Sequence, residues 1–138
     1  MEALREAVRN GVFDCISTDH APHTTEEKSR GFEKAPFGIV GSETAFALSY
    51  TTLVRGGYLS LSELIRMMST NPSRIIGHTG GSLKVGAPAD IAIVSTEETV
   101  IDANRFYSKG TNTPFHGKSV YGVVKYTITD GKTVYKNE

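Results

Sequence analysis

Residues 12–23 read Val12-Phe13-Asp14-Cys15-Ile16-Ser17-Thr18-Asp19-His20-Ala21-Pro22-His23, an apolar-rich run that ends in a polar, histidine-containing turn. The run predicts a short strand from Val12 to Ser17. A helix is predicted just before it, over residues 2–10, because apolar side chains share one face and Gly11 follows its end. Helix, glycine, strand and polar loop in this order are typical of an α/β unit.

The polar end of this stretch is the candidate site, because active sites of parallel α/β architectures are built at strand ends. Asp19 could bind a divalent metal through one oxygen and accept a proton from metal-bound water with the other. Pro22 keeps the residue before it out of the helical region, so His20 and His23 are predicted on a turned loop. The plainer alternative makes Asp19 a turn former or helix cap and both histidines surface residues. Spacing alone leaves both interpretations open.

Downstream of residue 18 the sequence predicts a long loop and then helices. Two prolines and three glycines between residues 18 and 41 are too irregular for a single element. A helix is predicted from about residue 43 to 54, with Ser42 as its cap. Ser60 and Glu63 form a capping-box pattern ahead of a second helix. Asn71 is predicted to cap a further short helical turn that begins at Pro72.

After residues 77–81 the pattern changes from helical to strand-like. Short β-branched and aromatic runs predict strands over residues 89–95, 99–101, 119–129 and 132–135. Asp130-Gly131 predicts a two-residue hairpin turn between the last two strands. The chain is therefore divided into an α/β half and a β half.

Composition and charge exclude several classes of partner. Fifteen Lys and Arg balance fifteen Asp and Glu without a like-charge run, so neither nucleic acid nor a membrane surface is a predicted partner. No apolar run approaches the roughly 18 residues of a spanning helix, and the charged first ten residues are unlike a secretory signal. The single cysteine, Cys15, is expected to be buried in its apolar segment. Because one cysteine cannot form an internal disulfide, a reducing compartment, the cytoplasm, is the expected location.

Several motifs resemble the dihydroorotases. The run from Thr18 to His23, followed by Lys28, resembles the second signature of that family. Residues Lys34 to Thr44 resemble the loop that follows it in the bacterial class I enzymes. Gly86 to Val94 resembles a β-sandwich strand found across the amidohydrolase superfamily, and Asn112 to Phe115 is again dihydroorotase-like. The resemblance covers essentially the whole chain.

This resemblance implies both a fold and a reaction. Residues 1–78 would be the C-terminal segment of a (β/α)8 TIM barrel, comprising its last strand, loop and helices. Residues 79–138 would be the C-terminal strands of a small β-sandwich. The implied activity is the zinc-dependent, reversible interconversion of N-carbamoyl-L-aspartate and L-dihydroorotate in pyrimidine synthesis, with one or two zinc ions.

Particular residues receive roles from the resemblance. Asp19 would end the eighth barrel strand, contact the metal and shuttle a proton, and His23 would bind the substrate carboxylate. The backbone around Phe37 and Gly38 would contact the dihydropyrimidine ring or its carbamoyl equivalent. The His-x-His pair, the carboxylated lysine and two further histidines of the family have no counterpart in the sequence. The isolated chain is therefore expected to be inactive and to bind metal weakly.

Binding partners and alternative functions are also predicted. A homodimer, or association with a complementary N-terminal piece, is expected, and association with aspartate carbamoyltransferase is a further expectation. A hydantoinase or allantoinase, a non-catalytic dihydroorotase-like scaffold of aspartate carbamoyltransferase, and an autonomous β interaction module are the alternatives. Asp90, Asp130, His78 and His116 are interpreted as turn or surface residues, because none has a partner motif.

Overall fold

The computed structural model describes residues 1–137. Within that range it contains five short α-helices followed by a three-stranded antiparallel sheet in the order β1-β2-β3. No helix among these residues is long and apolar enough to span a membrane. The elements are α1 (Glu2–Arg9), α2 (Thr25–Lys28), α3 (Ala45–Ser49), α4 (Leu61–Ile65), α5 (Asn71–Ile75), β1 (Ile91–Val100), β2 (Ser119–Thr129) and β3 (Lys132–Lys136).

Local signals placed two of the helix ends correctly. Gly11 follows α1 with a φ of 70°, a left-handed conformation that costs glycine least. At the start of α4 the Ser60 side chain accepts the Glu63 N–H, and the Glu63 carboxylate accepts the Ser60 N–H at 2.7 Å. The Ser60 hydroxyl also donates to this carboxylate at 2.7 Å. The two bonds donated by the Ser60 N–H and hydroxyl hold the pKa of Glu63 below its ordinary value. The predicted capping box is therefore confirmed.

Two predicted helix caps are wrong. α3 begins after Thr44 rather than Ser42, and Thr44 is buried with its hydroxyl donating to the Gly41 carbonyl. Asn71 does not restart a helix, because wide helical turns at Arg66–Thr70 connect α4 directly to α5. Its side-chain amide instead donates to the Asp14 carbonyl at 2.7 Å. For Asn71 a tertiary contact replaces the predicted cap bond, whereas Thr44 makes a local bond to a residue three positions earlier.

The predicted strand from Val12 to Ser17 does not form a strand within residues 1–137. A strand needs a neighbouring ladder, and this segment makes only isolated bonds. The Ile16 N–H donates to the Met67 carbonyl at 3.1 Å, the Val12 N–H donates to the Ala7 carbonyl at 3.0 Å, and the Asp14 carbonyl accepts the Asn71 amide. Cys15 is exposed, so the expectation of a buried thiol is also wrong. The apolar side chains of this segment are typical of a buried strand, but no helix or strand within residues 1–137 buries them.

The sheet follows the sequence prediction closely. β2 has the predicted bounds, and β1 joins two predicted runs across irregular registers, pairing Ile91 with Ile128 and Val100 with Ser119. Asp130 and Gly131 have φ values of 48° and 73°. Positive φ at both central positions is what a type I′ turn requires, so the predicted hairpin is confirmed.

A small core joins the helical half to the sheet. The core contains Ala47 of α3, Val120 of β2, and Ile101, which follows β1. Phe106 and Phe115 pack around these buried residues. The fold class is confirmed at the level of helices with a small antiparallel sheet. The division at residue 78 into barrel and sandwich stays a prediction.

Close contact between α3 and β2 depends on Gly122. This residue has a φ of 108°, and a Cβ placed there would lie 2.9 Å from the Phe46 ring. We expect Gly122→Ala to destabilise the complete protein by about 2–4 kcal/mol, because steric overlap adds to backbone strain. Thermal unfolding would show a melting temperature lower by roughly 5 °C or more. Ser119→Ala, at an exposed position on the same strand, is the matched control, and equal melting of the two variants would contradict the expectation.

Candidate active site

Asp19 lies at the turn between the extended segment and the long loop. Its φ is 47°, a left-handed conformation that is uncommon for residues other than glycine and is tolerated best by Asp and Asn. The residue is exposed, and within residues 1–137 its carboxylate makes no hydrogen bond or ion pair. The structure therefore presents a carboxylate without a partner on a strained backbone, which is common at functional sites.

His20 anchors the two ends of the long loop. Its Nδ1 accepts the N–H groups of Gly41 and Ser42, both at 3.1 Å, so this nitrogen carries no proton. A parallel bridge joins His20 to Ile39, and the Ala21 N–H donates to the Ile39 carbonyl at 2.9 Å. These contacts bring the segment after Asp19 against the segment after Gly38.

His23 lies on the same loop, as predicted, and both of its ring nitrogens face acceptors of this chain. Nε2 is 2.8 Å from the Phe37 carbonyl, which can only accept, so Nε2 donates. Nδ1 is 3.6 Å from the Glu27 carboxylate. Hydrogen bonds from the Thr24 backbone and hydroxyl, with a smaller contribution from the charge of His23, hold the pKa of Glu27 below its ordinary value. The carboxylate beside Nδ1 therefore stays ionised to lower pH than an ordinary glutamate.

The backbone at Phe37 and Gly38 is held on its carbonyl side only. The carbonyls of Pro36, Phe37 and Gly38 each accept a bond from a side chain. Within the described range the N–H groups of Phe37 and Gly38 donate no hydrogen bond. Gly38 has a φ of 108°, and a Cβ there would overlap the Cβ of Ala21. The arrangement leaves two adjacent backbone donors for an acceptor on a ligand.

Sequence reasoning gave no role to Lys28 and Asn112, although both belong to the motifs that resemble dihydroorotases. Lys28 Nζ donates to the Pro36 carbonyl at 2.9 Å and to the Gly38 carbonyl at 2.8 Å. Asn112 Nδ2 donates to the Gly38 carbonyl at 3.0 Å. Both act on backbone atoms, which leave no residue-type signal in a sequence. Only the presence of the two residues in the motifs marked them.

The donor set of this chain does not complete a metal site. Among residues 1–137 no group of three or more His, Cys, Asp or Glu side chains is arranged to hold a metal ion. His20 and His23 use ring nitrogens in the loop, and Asp19 fits the place of a single carboxylate ligand. His116 Nδ1 accepts the Ala103 N–H at 3.1 Å, and the interpretation of His116 as a residue without a catalytic role stays a prediction.

Residues 1–134 match the family model described as the amidohydrolase family. The chain belongs to the amidohydrolase family. It is 47% identical over 137 residues to a dihydroorotase from Caldanaerobacter subterraneus, covering 99% of this chain and 32% of that protein. It is 49% identical over 138 residues to a dihydroorotase from Bacillus cereus, with the same two coverages. The resemblance to dihydroorotases is confirmed, and this amidohydrolase chain spans about a third of the length of these relatives.

Solved structures support the same family. The L-hydantoinase from Arthrobacter aurescens superimposes with a TM-score of 0.87 at 34% identity, covering 96% of this chain and 31% of that one. The dihydropyrimidinase from Brevibacillus agri superimposes with a TM-score of 0.90 at 27% identity, covering 99% of this chain and 31% of that one. The amidohydrolase chain therefore has the backbone of one segment of the fold that these two proteins share.

Proposed function

We propose that this amidohydrolase chain forms part of a dihydroorotase. The observation that carries the proposal is the parallel bridge between His20 and Ile39, which brings the turn with the unpaired Asp19 carboxylate next to the segment with the two free backbone donors at Phe37 and Gly38. A proton acceptor suits the proton transfer that opens and closes a cyclic amide, and a pair of N–H donors suits the binding of an oxygen of that ring. Identity of 47–49% to dihydroorotases over nearly the whole chain supports that substrate.

Each site residue has a part in the proposed reaction. In the hydrolytic direction Asp19 accepts a proton from the attacking water and delivers it to the leaving ring nitrogen, and in ring closure it moves the proton the opposite way. The N–H groups of Phe37 and Gly38 bind an oxygen of the ring or of its carbamoyl equivalent, and His23 binds the substrate carboxylate through Nδ1, because Nε2 is used in the bond to the Phe37 carbonyl. Asp19 would hold zinc as one ligand, and the bound metal, one or two ions, would supply carbonyl polarisation and a water of lowered pKa.

Residues 1–138 alone are expected to show no dihydroorotate hydrolysis, even with added zinc, because one carboxylate cannot hold the ion. The complete protein is expected to turn over both dihydroorotate and carbamoyl aspartate. Loss of dihydroorotate absorbance measured on both samples tests the proposal. Turnover by the short chain near that of the complete protein would contradict the shared-site proposal, and an inactive complete protein would contradict the function.

Hydantoinase-type hydrolysis is the second candidate, favoured by the superposition on an L-hydantoinase at 34% identity. The higher identity to dihydroorotases favours the first candidate. Comparing kcat/KM of the complete protein for dihydroorotate and for hydantoin decides between them. The proposal of a cytoplasmic dimer, with or without aspartate carbamoyltransferase, accompanies the first candidate. The non-catalytic scaffold is disfavoured because Asp19 and His23 are both retained.

A further inference from the structure

We propose that Lys28 and Asn112 are positioning residues for the N–H groups of Phe37 and Gly38. Lys28 holds the Pro36–Phe37 peptide plane directly, and Asn112 acts indirectly, by fixing the Gly38 carbonyl and the backbone of His23. The inference rests on the proposed function, in which those two N–H groups bind a substrate oxygen. Neither side chain needs to touch the substrate in this role. Each acts on the loop backbone alone.

Peptide geometry links the held carbonyls to the free donors. A peptide group is planar and trans, so the direction of one carbonyl fixes the direction of the next residue's N–H. The Pro36 carbonyl, held by Lys28 at 2.9 Å, therefore orients the Phe37 N–H. The Phe37 carbonyl, held by His23 Nε2 at 2.8 Å, orients the Gly38 N–H. Bonding a carbonyl also polarises its peptide group, which makes the paired N–H a stronger donor.

Lys28 is held where it can reach two carbonyls. The short helix α2 starts with a capping box in which Thr24 Oγ1 accepts the Glu27 N–H at 3.1 Å and Glu27 accepts the Thr24 N–H at 3.0 Å. The part-buried ammonium group then bonds the carbonyls of Pro36 and Gly38, one on each side of Phe37. Glycine has more backbone freedom than other residue types, so the bond to the Gly38 carbonyl restricts backbone dihedral angles that would otherwise vary widely.

Asn112 ties the backbone of His23 to that of Gly38. Its Oδ1 accepts the His23 N–H at 3.1 Å, its Nδ2 donates to the Gly38 carbonyl at 3.0 Å, and its own carbonyl accepts the Val40 N–H at 3.0 Å. A donor on one side and an acceptor on the other fix which way the amide faces. Gly110 is buried, and a Cβ there would lie 2.7 Å from the His23 carbonyl, so a glycine permits this close approach.

The test measures steady-state kinetics of Lys28→Met and Asn112→Ala in the complete, zinc-loaded protein with dihydroorotate. We expect KM to rise about tenfold in each, with kcat changed by less than about threefold, because the donors bind ground state and transition state alike. Lys28→Arg, which keeps charge and donors, is expected to recover part of the lost affinity. Matched controls are Lys132→Met and Asn104→Ala, both at exposed positions away from the loop, and their KM is expected to equal that of the wild type.

A second variant and a second measurement guard against simple misfolding. Asn112→Asp keeps the acceptor for the His23 N–H but loses the donor to the Gly38 carbonyl, so its KM is expected to rise as well. Hydrogen exchange at the Val40 amide, bonded to the Asn112 carbonyl, is expected to accelerate in Asn112→Ala and not in Asn104→Ala. An active wild type with unchanged KM in Lys28→Met, Asn112→Ala and Asn112→Asp overturns the positioning role alone. A fall in kcat at constant KM also overturns it, whereas an inactive wild-type protein overturns the proposed function itself.

Discussion

Asp19→Asn in the complete protein is expected to lower kcat for dihydroorotate at least about 1000-fold, the upper part of the range for loss of a general acid–base group. The amide has the same shape but carries no charge and cannot take up the proton. Asparagine tolerates the left-handed φ of 47° as well as aspartate does, so the turn is expected to keep its backbone conformation. A coupled measurement of kcat and circular dichroism separates lost chemistry from lost fold.

The control for this variant is Asp14→Asn, at an exposed position in the same extended segment. Its kcat is expected to stay within about twofold of the wild type, as is usual for surface changes that leave the site intact. Zinc content of Asp19→Asn is expected to fall as well, since the amide is a weaker ligand than the carboxylate. Wild-type turnover in Asp19→Asn would end the assignment of Asp19 as the base.

His23→Ala has the second largest expected effect, a rise in KM of about 30- to 100-fold with a smaller change in kcat. Two losses combine in this variant: the proposed charge-assisted bond to the substrate carboxylate and the bond from Nε2 to the Phe37 carbonyl. The second loss also frees the peptide plane that orients the Gly38 N–H. Initial rates over a range of dihydroorotate concentrations measure both parameters.

The matched control is His78→Ala, an exposed histidine after α5. Its KM is expected to match the wild type, because it bonds to the chain through its backbone N–H to the Ser73 carbonyl. If His23→Ala retained the wild-type KM, His23 would be a residue of loop structure only. A fall in kcat at constant KM would instead assign it a part in the chemical step.

Local chemistry explains which parts of the fold the sequence predicted. The hairpin at Asp130-Gly131 and the capping box at Ser60 each depend on residues within three positions of one another, so their patterns suffice. The segment Val12–Ser17 has the composition of a strand but lacks a paired neighbour within residues 1–137. Composition reports a preference for burial and extension, whereas a strand also requires a second chain segment.

The residues of the candidate site also fall into two groups, those that the sequence predicts and those that it does not. Asp19, His23, Phe37 and Gly38 lie in continuous motifs, so the sequence marks them as candidates, although their roles stay predictions. Lys28 and Asn112 lie in those motifs too, but their partners are backbone carbonyls up to 74 residues away. Every residue carries a backbone carbonyl, so a sequence does not show which carbonyl a side chain will bond. Geometry alone identifies such residues.

The bond between His23 and Asn112 has a consequence for the order in which the protein becomes functional. The two residues are separated by 89 positions, so a ribosome needs roughly 4 to 18 seconds to add Asn112 after His23 has been made. Until then the loop lacks one of the bonds that align it, and long-range contacts of this kind form late in folding. The donors at Phe37 and Gly38 therefore reach their aligned state only after the connection between β1 and β2 has been synthesised and has folded back onto the loop.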